Sequence, residues 1–104
     1  MKYNFDKLNS VLNISLDEEI DVNSCKILRS IIDGYIIKYE PREFIIDLTN
    51  VNFMDSSGIG LLIGRYNLVK MFDSNMTIIN PSNSIKRILE ISNLSKKINL
   101  RSCV

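Results

Sequence analysis

Histidine is absent from all 104 residues. Without an imidazole there is no Ser-His-Asp triad, no Cys-His pair and no histidine-containing metal site. Cysteine is scarce: Cys25 and Cys103 carry no metal spacing, and two thiols with scattered carboxylates make a poor zinc set. Cys25 falls on an apolar helical stripe, where a free thiol packs as a small hydrophobe, and both thiols are expected to stay free in a reducing cytosol. An excess of one charge sign is missing too, with 13 basic side chains against 12 acidic ones. No surplus exists to neutralise a nucleic-acid backbone, so no nucleic-acid partner is expected. No apolar run reaches the length of a membrane span, and the first ten residues do not read as a secretion signal. A cytoplasmic chain without membrane contact is the expectation. Repeats, low-complexity tracts and long linkers are lacking, which leaves residues 1–104 as one domain with a single core. Neither cofactor nor metal is expected.

What the chain does contain is organised around residues 43–72. Phe44, Ile45, Ile46 and Leu48 form a short apolar run broken only by Asp47, the pattern of a central strand buried on both faces. After Gly58 the spacing becomes helical, with Ile59, Leu62, Ile63 and Tyr66 widened by Leu61, Leu68 and Phe72. Between strand and helix lies Asp55-Ser56-Ser57-Gly58-Ile59-Gly60. A polar cluster at a strand-to-helix junction is where an α/β domain presents chemistry to solvent.

The remaining elements frame that turn. Tyr3 and Phe5 give a weak first strand, and Leu12, Ile14 and Leu16 alternate with polar residues as a half-buried second one. The connector Asp17-Glu18-Glu19-Ile20-Asp21 leads to a helix capped by Asp21 or Asn23, with an apolar face of Cys25, Leu28, Ile32, Tyr35 and Tyr39 that Pro41 ends. Val51 and Phe53 are expected to pack downward before the key turn. A strand over 76–79, a helix opened by Pro81-Ser82-Asn83, and a last strand around Ile98 and Leu100 follow. The order β-β-α-β-α-β-α-β predicts an α/β fold with a mixed, mostly parallel sheet and helices packed on it.

Several roles are open at the turn. The Ser57 hydroxyl either caps free N–H groups of the helix or is a site of modification, and a serine can do the first until it undergoes the second. Asp55 either orients that hydroxyl or bonds backbone N–H groups. Ser56 is the alternative acceptor. Gly58 and Gly60 either leave the turn open to a partner's backbone or relieve crowding where helix meets sheet. Gly60 and Gly64, four apart, predict tight helix–sheet packing. Ile59 is an anchor for a partner or a core residue. Arg65, Lys70, Lys86 and Arg87 read as solvated helix faces.

The run Asn52-Phe53-Met54-Asp55-Ser56-Ser57-Gly58-Ile59-Gly60, followed by Leu61-Leu62-Ile63-Gly64-Arg65-Tyr66, resembles the STAS-domain anti-sigma-factor antagonists. Gly64-Arg65-Tyr66 is similar to their sporulation branch rather than their stress-response branch. The resemblance spans nearly the whole chain and implies a single STAS domain over 1–104. It also implies a partner switch. The unphosphorylated antagonist binds an anti-sigma factor that is itself an ATP-dependent serine kinase, and the sigma factor is released. Phosphorylation of the second serine, here Ser57, ends binding, and a serine phosphatase restores it. Asp21 matches an acidic residue beside the serine turn, and the implied contact set is Asp21, Asp55, Ser56, Ser57, Gly58 and Ile59. The chain would then be no enzyme, and a monomer when free. Two departures stand out: Glu18 replaces a usual glycine, and only Ser102-Cys103-Val104 follow the last strand where the family adds a helix.

Other classes compete. Ser-Ser-Gly-Ile-Gly could cradle a nucleotide phosphate at a helix start, but no Gly-Lys-Ser/Thr sequence or loop lysine accompanies it. A serine hydrolase lacks its base. A non-switching scaffold or sensor of the same fold would use the sheet edge or a helix face for assembly.

Overall fold

The computed structural model describes residues 1–102; Cys103 lies outside the described residues. Five strands form one sheet in the order β1-β2-β3-β4-β5: β1 (Lys2–Asp6), β2 (Val11–Ser15), β3 (Glu43–Asp47), β4 (Asn75–Ile79) and β5 (Asn99–Arg101). β1 runs antiparallel to β2, and every other pairing is parallel. The parallel strands are joined by α1 (Val22–Tyr39), α2 (Ser56–Lys70) and α3 (Asn83–Ile91), the last followed by a 3-10 turn over Leu94–Lys96.

The register lines up the apolar residues. Leu12 pairs with Phe44 and Phe44 with Met76; Ile14 pairs with Ile46, Ile46 with Ile78, and Ile78 with Leu100. Side chains alternate along a strand, so these rows share one face. The buried residues of all three helices, among them Leu28, Ile32, Leu62, Val69, Ile85 and Leu89, join the same cluster. All three helices therefore cover one face, as successive right-handed crossovers in one direction require. The opposite face carries Asn13, Ile45 and Thr77 in one cross-strand row, with Ser15 and Asp47 beside it. β3 is central, and its three middle residues are buried.

Each of the three α-helices starts on a side-chain cap. Asp21, Asp55 and Ser82 cap α1, α2 and α3 through their side chains. α1 ends at Glu40, which takes left-handed backbone (φ 42°) before Pro41. A proline at that point disfavours helical backbone in the residue before it.

Three local expectations give way to tertiary packing. Tyr35 and Tyr39 do not enter the main core; they pack at its margin over the edge strand β1 and stack on Tyr3 and Phe5, with ring centroids 4.1 and 4.3 Å apart. Ile36 takes the buried place on α1 instead. Phe53, expected to pack downward with Val51, is half-exposed while Val51 is buried. The buried stripe of α2 is Gly58, Leu61, Leu62, Arg65 and Val69, and Ile63 faces solvent. α2 is apolar on several sides, so its spacing fixes a helix without fixing which side meets α1 and the sheet.

The glycines of α2 also differ from expectation. A Cβ on Gly60 or Gly64 would meet nothing within 4 Å, so this pair makes no tight contact with the sheet. Gly58 is the crowded one: a Cβ there would overlap Met54 Cγ and lie 3.1 Å from Ile20 Cγ2. Gly64→Ala is expected to stabilise the fold by about 0.5–1 kcal/mol through helix propensity and unfolded-chain entropy. Gly58→Ala gains the same propensity, but overpacking costs about 1–3 kcal/mol and the net sign is destabilising. Urea denaturation of the two variants checks the opposite signs.

Candidate functional site

The connectors entering α1 and α2 are zipped together. Ile20 N–H donates to the Phe53 carbonyl at 3.1 Å, and Asp55 N–H donates to the Ile20 carbonyl at 3.1 Å. This parallel bridge between Ile20 and Met54 sets two helix N-termini side by side. They lie beyond the carboxyl ends of β2 and β3, the rim where open α/β sheets present their sites.

Both aspartates at this corner are committed to the helices. Asp21 Oδ1 accepts from Asn23 N–H at 2.9 Å and Ser24 N–H at 3.0 Å, while Ser24 Oγ accepts from Asp21 N–H at 3.1 Å. This reciprocal arrangement closes the start of α1. Asp55 Oδ1 accepts from Ser57 N–H at 2.8 Å. Asp55 thus bonds the backbone of Ser57, not its hydroxyl, and performs the capping that Ser57 itself was a candidate for. The Ser57 hydroxyl has no hydrogen-bond partner among the described residues.

Ser57 is half-buried and looks into a cleft of about 310 Å³ between the two helices. Val22, Cys25, Lys26 and Arg29 of α1 form one wall; Ser57, Gly60 and Leu61 of α2 form the other. Both sets follow helical spacing, so each is one continuous helix face. Val22 and Phe53, 61% and 50% exposed, offer apolar surface where the two helices begin.

The structure brings Asp21, Asp55, Ser56 and Ser57 to this corner, with Ser56 exposed. It does not offer Gly58 to a partner: Gly58 is buried, and the space beside it belongs to Met54. Ile59 is half-buried against the core and does not line the cleft. Sequence reasoning missed Val22, Lys26 and Arg29; their i, i+4, i+7 spacing was the available signal, overlaid by the stronger apolar stripe of the same helix.

Cys25 is half-buried in the α1 wall rather than enclosed. Burial, then the Asp55 and Asp21 carboxylates, push its thiol above the usual range, with Arg65 opposing. It stays protonated and unreactive near neutral pH.

Arg65, read from sequence as solvated, is buried. Its Nε lies 2.7 Å from Asp33 Oδ1 across the α1–α2 seam. The pair is off-line for a hydrogen bond, and Arg65 Nη1 has no partner among the described residues. Burial pushes the guanidinium below its usual value; Asp33 opposes this, and the neighbouring Arg29 adds to it.

Among the described residues no group of three or more Cys, Asp or Glu side chains could hold a metal ion, and no helix is long and apolar enough to cross a membrane. A mostly parallel sheet covered by helices on one face, with a serine at the mouth of one helix beside a second helix start, defines a class of small α/β domain. The chain belongs to the STAS domain family, whose model matches residues 2–104.

Within that family its relatives are antagonists of anti-sigma factors. It is 31% identical over 86 residues to the anti-sigma F factor antagonist of Paenibacillus polymyxa, covering 83% of this chain and 74% of that one. It is 29% identical over 91 residues to the anti-sigma-B factor antagonist of Listeria monocytogenes, covering 88% and 79%. The fold matches the unphosphorylated form of the anti-sigma factor antagonist SpoIIAA with a TM-score of 0.81 at 22% identity, over 99% of this chain and 89% of that one. The Bacillus cell fate determinant SpoIIAA in its phosphorylated form matches with a TM-score of 0.74, also at 22% identity, over 99% and 92%.

Proposed function

We propose that this chain is an anti-sigma factor antagonist whose hold on its partner is ended by phosphorylation of Ser57. One observation carries the reading: Asp55 caps α2, which leaves the Ser57 hydroxyl uncommitted at the edge of an open cleft. Membership of the STAS family and relatives named as anti-sigma factor antagonists support it, and a neighbour of the same fold is described in a phosphorylated form.

The partner is an anti-sigma factor with serine kinase activity. It docks on the corner built by Asp21, Asp55, Ser56 and Ser57, with Val22 and Phe53 as apolar contacts and Ile59 at the margin. Ser57 Oγ receives the phosphoryl group from ATP held by that partner, and a serine phosphatase removes it. The chain supplies no catalysis of its own and acts as a cytoplasmic monomer. The likeness to an anti-sigma F factor antagonist favours control of sporulation transcription over a general stress response.

The switch is electrostatic. A helix N-terminus tolerates an anion, so the fold survives modification. The phosphate adds about two negative charges, close to the Asp55 and Asp21 carboxylates, at a face that must be desolvated for docking. Incubating the chain with its anti-sigma factor and ATP should add one phosphate, assigned by peptide mass spectrometry to Ser57 and absent from Ser57→Ala. Phosphate on Ser56 alone, or none, refutes the assignment.

A further inference from the structure

We propose that Lys26 and Arg29 form a receptor, within the same chain, for a phosphate on Ser57, so that modification fills the cleft between α1 and α2. The inference rests on the reading of Ser57 as the acceptor and says where its phosphate goes. The cleft places two cations in the α1 wall and a free hydroxyl in the α2 wall. Neither cation takes part in an ion pair among the described residues; the one side-chain pair there is Arg65 with Asp33. The carboxylates at this corner, Asp21 and Asp55, are occupied by backbone N–H groups. The remainder of the lining, Val22, Cys25, Gly60 and Leu61, supplies no competing charge.

Arg29 lies near enough to α2 for its charge to act on the Arg65 guanidinium. A dianion at Ser57 would meet the planar fork of Arg29, which suits bidentate phosphate contacts, and the compact charge of Lys26. Two effects then act in the same direction. The Asp21 and Asp55 carboxylates repel the phosphate from the outer rim, while Lys26 and Arg29 draw it inward. The result is a cleft closed to any partner side chain that enters it in the unmodified state. Release follows from occlusion as well as repulsion.

The test uses the full chain with phosphoserine installed at position 57 by nonsense suppression, without kinase or partner. The second ionisation of the phosphate is followed by ³¹P NMR. Lys26→Ala and Arg29→Ala should each raise its midpoint by about half a unit or more, because a nearby cation favours the dianion. The double variant should raise it further. Lys7→Ala, in the turn at the opposite end of β2, should leave it unchanged. Asp21, Asp55, Cys25 and Arg65 also face the cleft or its seam, but they are common to every variant and cancel in the difference. Lys26 and Arg29 are exposed, so the variants are expected to fold, and a circular-dichroism melt confirms it. In the parent chain the Arg29 Nε–H resonance should also move when Ser57 is phosphorylated. Equal midpoints in parent and variants, or an Arg29 signal indifferent to the phosphate, overturn the receptor. That result would leave the switch standing, since partner affinity and the site of phosphorylation are measured separately.

Discussion

Ser57→Asp is expected to weaken binding to the anti-sigma factor by about a hundredfold or more, while Ser57→Ala stays within about threefold of the parent. The asymmetry follows from what each substitution removes. The Ser57 hydroxyl bonds to nothing among the described residues, and the contact that orders the helix start runs from Ser57 N–H to Asp55. Alanine keeps that N–H and deletes an oxygen with no internal task. Aspartate places a third carboxylate beside Asp21 and Asp55, and docking must then desolvate or repel it. The same charge sits favourably at the positive end of α2, so Ser57→Asp should not lower thermal stability. Isothermal titration calorimetry with the purified partner reads the affinities, and a melt reads the fold. Equal binding by the two variants would refute the switch and favour a scaffold of the same fold. Weaker binding by Ser57→Asp together with a lowered melting temperature would show that the loss reflects damage to the domain.

Asp33→Ala should be the most damaging single change on the α1–α2 seam, at about 3 kcal/mol and a fall in Tm on the order of 15 °C. It leaves the buried Arg65 guanidinium with no opposing charge and with Arg29 nearby. Arg65→Met removes that buried charge, keeps an unbranched apolar stem, and leaves Asp33 partly open to water with a side chain 30% exposed. It should cost about 1 kcal/mol or less, and the pair Arg65→Met with Asp33→Leu should fall within about 1 kcal/mol of the parent. Replacing a buried pair is mild where orphaning one partner is severe. Urea denaturation of the three variants checks the order. If Arg65→Met proves worse than Asp33→Ala, the guanidinium contributes through packing or unseen hydrogen bonds, not through its pairing.

Much of this architecture was legible residue by residue. Phe44, Ile45 and Ile46 announced a central strand, and Asp21, Asp55 and Ser82 announced helix starts, because burial on two faces and cap chemistry are local and leave local signatures. Arg65 was not legible. Its neighbours in sequence resemble those of any solvated arginine, and its partner Asp33 lies on another helix, so its burial is decided by how α1 and α2 cross. Phe53 failed for the related reason that apolar character alone does not say which way a connector turns. The glycine pair Gly60 and Gly64 promised close packing from spacing that the fold leaves open, whereas Gly58 is crowded by Met54, a residue the helical pattern does not include.

By itself the order of residues determined that alternating strands and helices would build one mixed, mostly parallel sheet, and that two hydroxyls and a carboxylate would stand at the start of the second helix. Those features depend on periodicities and caps spanning a few neighbouring residues. Tertiary structure alone decided that Lys26 and Arg29 share a cleft with the uncommitted hydroxyl of Ser57. The Ile20–Met54 bridge joins segments more than thirty positions apart, and that long-range pairing, invisible to any local pattern, brings two helix starts to one corner.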